Sequence, residues 1–141
     1  MDIGRRSALL AKLQEKSTPV GEHPGPTVSV EEFFEGNDDL GSIGCNLASH
    51  PGVDKFYEVF ADLRSRSDVQ DVLVEIRDLV DEHSWPFADT VFVLTSMSQD
   101  NLRILIAALD PDEVGPFPLE SIPRDLPQLE DGMKVLGVWW D

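Results

Sequence analysis

The chain has 141 residues, with 27 Asp and Glu against 11 Lys and Arg, a formal net charge of −16 and a hydrophobic fraction of 41%. That length suits one domain with a sizeable core, and seven Phe, three Trp and one Tyr set the chain apart from disordered acidic sequences. A surface this negative repels DNA, RNA and anionic membranes and attracts basic proteins or cations within a Debye length of about 8–10 Å, so neither nucleic acid nor membrane is an expected partner.

Residues 1–26 differ from the rest. Arg5, Arg6, Lys12 and Lys16 outnumber Asp2 and Glu15, and Ile3, Leu9, Leu10 and Leu13 recur at helical spacing. A basic amphipathic helix is predicted there, able to dock on the acidic body or to pair two copies as a homodimer. Pro19, Gly21, Pro24, Gly25 and Pro26 then form a linker. Residues 27–141 are read as one α+β domain.

Val28, Val30, Phe33 and Phe34 lead into Gly36-Asn37-Asp38-Asp39, and Ser42 to Leu47 looks extended, which reads as two strands joined by an acidic turn. The rival is a short helix, since Ser29 with Glu32 matches a capping box and Gly36 suits a helix end; the β-branched and aromatic content favours the hairpin. After Pro51, Val53, Phe56, Tyr57, Phe60 and Leu63 follow helical periodicity. Val72, Val74 and Ile76 alternate with polar residues, as in a strand with one face in the core and one in water.

Thr90 to Thr95 is apolar on both faces and predicts an interior strand. Ser98 caps a helix through Leu102, Leu105, Ile106 and Leu109, ended by Asp110-Pro111. From Pro111 to Gly132 five prolines predict a long loop, with Phe117, Leu119, Ile122, Leu126 and Leu129 available to pin it. Lys134 to Trp140 is the last strand. The order predicts a two-layer α+β sandwich: a mostly antiparallel sheet of about five strands, two helices on one face and a short N-terminal helix.

Chemistry is sparse. Cys45 is the single cysteine, so no internal disulfide exists, and the first thirty residues lack the apolar run of a secretion signal; a cytoplasmic location is expected. Cys45 and His50 carry no nucleophile signature, Cys45 and the three histidines lack zinc-ligand spacing, and Asn37, Asp39 and Gly41 mimic only the start of a calcium loop whose twelfth position is Ala48. The sequence therefore predicts no cofactor, no metal site and no catalysis.

The leading expectation is a protein-binding domain, of the kind used by intracellular inhibitors or immunity-type proteins against a basic partner. Glu31, Glu32, Glu35, Asp38 and Asp39 would steer that partner, and Trp85 or Trp140 would anchor it. The alternative is a small-molecule or enzymatic site under the 111–132 loop, lined by Trp85, Tyr57 or His83.

Overall fold

The computed structural model describes residues 1–141. A single five-stranded sheet organises them, built from β1 (Thr27–Ser29), β2 (Val69–Glu75), β3 (Thr90–Thr95), β4 (Glu113–Gly115) and β5 (Lys134–Trp139). Their spatial order is β1-β2-β3-β5-β4, and every neighbouring pair is antiparallel. With α1 (Ile3–Gln14), α2 (Val30–Phe34), α3 (Val53–Arg64) and α4 (Gln99–Leu105), the fold is the α+β sandwich predicted.

Two rows of paired residues run across all five strands and explain the two faces. Val28, Val74, Val91, Val138 and Val114 stand opposite one another in register, and all five are buried in the main core. This is the helix face: Phe56, Phe60 and Leu63 of α3, Phe33 and Phe34 of α2, and Leu102 of α4 share its core, as do Leu9 and Leu13 of α1. The next row along the strands is Thr27, Glu75, Thr90, Trp139 and Glu113. Successive residues of a strand point to opposite faces, so this row belongs to the other side of the sheet.

That second side is not open to water, contrary to the reading of β2 as half-exposed. Leu73, Glu75, Phe92 and Leu94 are buried on it because the proline-rich loop lies across them. Phe117 packs edge-on to Phe92 with ring centres 5.7 Å apart, directly over Gly137. Asp125 accepts hydrogen bonds from the Thr27 amide and hydroxyl, both 2.9 Å, and pairs with Lys16 at 3.3 Å. Gln70 joins the far end, donating to Gln128 O and accepting from Glu130 N. Leu119 and Leu129 are exposed and pin nothing.

The segment 27–47 corrects the hairpin expectation. Only Thr27–Ser29 is strand; Ser29 Oγ then accepts from Glu32 N while Glu32 Oε1 accepts from Ser29 N, and this reciprocal cap starts α2. Two capped backbone donors outweigh β-propensity over so short a run. Ser42 to Leu47 is a 3-10 turn and loop instead of a strand, with Cys45 exposed. Leu105, expected in the core, is 41% exposed, since α4 ends there and a 3-10 turn brings Ile106 and Leu109 inward instead.

Candidate functional site

The row Glu75–Thr90–Trp139–Glu113 floors a cleft of about 360 Å³ whose far wall is His23 and the loop residues Phe117, Pro118 and Ser121. Antiparallel strands spaced about 4.8 Å apart put Glu75 and Glu113 about 14 Å from each other along the floor, with Trp139 between them. Glu75 is the most confined polar group there, 1% exposed. Its Oε2 accepts a 2.6 Å hydrogen bond from Gly25 N, while Oε1 has no protein donor. Burial pushes its carboxyl above the ordinary value of 4.5, against the opposing pull of the Gly25 N–H and Arg77.

Arg77 is the cation of the cleft, and it is already committed. Its guanidinium lies 3.7 Å from Glu75 and 3.5 Å from Asp89, and Nη1 is 2.6 Å from His23 Nδ1. A guanidinium only donates, so Nδ1 of His23 accepts and the ring proton sits on Nε2, which points at Ser121 Oγ 3.4 Å away. In this tautomer His23 cannot take the Ser121 proton. The His23–Ser121 pair in this arrangement lacks the general base that an activated serine needs. Glu113 pairs with no cation of the chain, and it is exposed at the rim.

The residues singled out in the sequence lie elsewhere. Glu31 forms a two-pronged pair with Arg64, whose hydrogen bond holds the Glu31 carboxyl below its usual range. Glu32 caps α2, and Glu35 bonds Arg5 and the Tyr57 hydroxyl. Asp38 lies 3.1 Å from the Met1 amino group, and Asp39 caps Gly41 N and receives Trp85 N. The chain's own cations and amides thus occupy this cluster. Arg6 likewise turns inward, donating to Ser84 O and Asp81 O.

Both proposed aromatic anchors are inside. Trp85 is 1% exposed and Trp140 2%, the latter donating from Nε1 to Leu109 O at 2.9 Å beside Phe56 and Phe60. Neither presents a ring to a partner; the half-buried neighbour Trp139 is the indole that reaches the cleft. Trp85, Tyr57 and His83 do not line it. His50 spends both ring nitrogens locally, on Ile43 O and Gly52 N, and is not a base for Cys45. No three His, Cys, Asp or Glu side chains are grouped to hold a metal ion, and no helix is long and apolar enough to cross a membrane.

A family model described as the Uncharacterized protein YfbO family matches residues 4–138. The chain is 33% identical to the Escherichia coli strain K12 protein described as Uncharacterized protein YfbO, over 119 residues that make up 84% of each chain. No solved structure matches.

Proposed function

The chain belongs to the YfbO family, whose match takes in every residue of the cleft except Trp139, and from that premise we propose that it is a small-molecule-binding domain with its site between the sheet and the proline-rich loop. The observation that carries this reading is Glu75. A carboxyl 1% exposed, with one oxygen unbonded by protein and opening on a cleft, is costly to keep unless something compensates it. Around it stand a few polar groups and two aromatic rings, the lining a small ligand requires. A basic protein docking at residues 31–39 would first have to displace Arg5, Arg64 and the Met1 amino group, which ranks that reading second.

The test is saturation-transfer NMR on an extract of small metabolites, with the parent and Ser121→Trp, a substitution that fills the cleft from the loop side. Metabolite signals present with the parent and absent with the variant are expected. Identical signals for both proteins would refute the site.

A further inference from the structure

Resting on the cleft as a binding site, we infer that its ligand is a small organic ammonium ion, its charge held by Glu75 and drawn in by the field of Glu113 at the rim, and its carbon frame lying across Trp139 and Phe117. Three observations lead to this class. First, the acid and base charges do not balance: Arg77 is shared between Glu75 and Asp89, which leaves Glu113 without a counter-ion and the cleft net negative. A chain of net charge −16 adds a long-range field of the same sign, so an anionic ligand would enter against both.

Second, Glu75 Oε1 is an acceptor in a confined place with no donor from the protein, and an ammonium N–H is the donor that such an oxygen binds most strongly. Third, the surfaces between the two carboxylates are an indole and a phenyl ring, whose negative faces attract cations and whose area covers an apolar frame. His23, with its ring proton on Nε2, and Ser121 remain to bond a neutral polar substituent. The exposed rim position of Glu113 makes the entrance attractive to cations before they reach the buried acid.

Three probes with the same phenylethyl frame and different charge decide the matter: phenethylammonium, 3-phenylpropionate and 2-phenylethanol. Each is titrated into the protein and read by NMR at the Trp139 indole N–H, with parent, Glu113→Gln and Glu75→Gln. Phenethylammonium is expected to bind at least about tenfold more tightly than 3-phenylpropionate, to weaken about threefold in Glu113→Gln, and to weaken about tenfold in Glu75→Gln. Because Glu113 is exposed, its variant folds whatever Glu75 does. If the anion or the alcohol binds as well as the cation, or if Glu113→Gln leaves the cation's affinity unchanged, the cationic class is wrong and the binding cleft stands. If no probe moves Trp139, the binding cleft itself is refuted.

Discussion

Gly137→Ala tests how the loop is held on the sheet. A β-carbon at Gly137 would lie 2.7 Å from Phe117 Cδ1 and Cε1 and 2.8 Å from Cζ, where carbon atoms normally approach no closer than about 3.5 Å. The obstacle is a ring flanked by Phe92, not the end of a flexible chain, so Phe117 must leave the sheet. Losing the edge-on ring pair costs about 0.5–1.5 kcal/mol. Re-exposing a half-buried phenyl costs about 1 kcal/mol more. Alanine returns about 0.5–1 kcal/mol through the smaller entropy of its unfolded chain. The expected balance is a loss of about 0.5–2 kcal/mol, read from urea unfolding, together with weaker binding in the cleft that Phe117 walls. Gly115→Ala is the matched control on the neighbouring strand, since its β-carbon would meet only the mobile end of Gln99 at 3.4 Å. If Gly137→Ala unfolds at the same urea concentration as Gly115→Ala, Phe117 is not what fixes the loop.

Glu75→Gln should alter the pH profile in one direction. The folded carboxyl titrates above its unfolded value of 4.5, so its protonated form is favoured by folding; that contribution is complete below 4.5 and disappears as pH rises through the folded value. The variant, unable to ionise, should therefore gain on the parent progressively above pH 4.5 in urea titrations, and a gap that stays constant with pH would contradict the assignment. Leu9→Ala should cost about 2–4 kcal/mol in the same assay, because Leu9 is 3% exposed in the common core; a cost under about 1 kcal/mol would make residues 1–26 an appendage. Trp140→Phe should cost about 1–2 kcal/mol more than Trp85→Phe, since the first removes a hydrogen bond to Leu109 O and the second removes a buried N–H that has no partner. Equal costs from calorimetry would refute that comparison.

Strong local signals carried most of the fold. Thr90 to Thr95 was readable as an interior strand because both of its faces are apolar, and the helix after Pro51 because Val53, Phe56, Phe60 and Leu63 share one stripe. Ser29 and Glu32 gave a true capping signal that β-propensity outweighed on paper, although the two reciprocal hydrogen bonds decide the matter in three dimensions. The cleft was legible only as a long loop able to cover a sheet. Glu75 looks like the solvent side of an alternating strand, and nothing local says that Phe117 and Pro118 will roof it. Register, a tertiary property, lines Glu75 up with Thr90, Trp139 and Glu113. The acids of 31–39 misled for the converse reason: their counter-ions Arg5 and Arg64 are 30 and 33 residues away from their partners.

The paired rows also make the sheet's alignment hard to mistake during assembly. Slipping β2 or β3 by one position would drive the Glu75 carboxyl or the Thr90 hydroxyl under the phenylalanines of α2 and α3, while a valine took its place beneath the loop. Ionised oxygen in that hydrocarbon layer would cost several kcal/mol for a single misplaced acid. The same acid that confers a confined carboxyl on one side of the sheet thus acts as a proofreader for the pairing of β2 with its two neighbours.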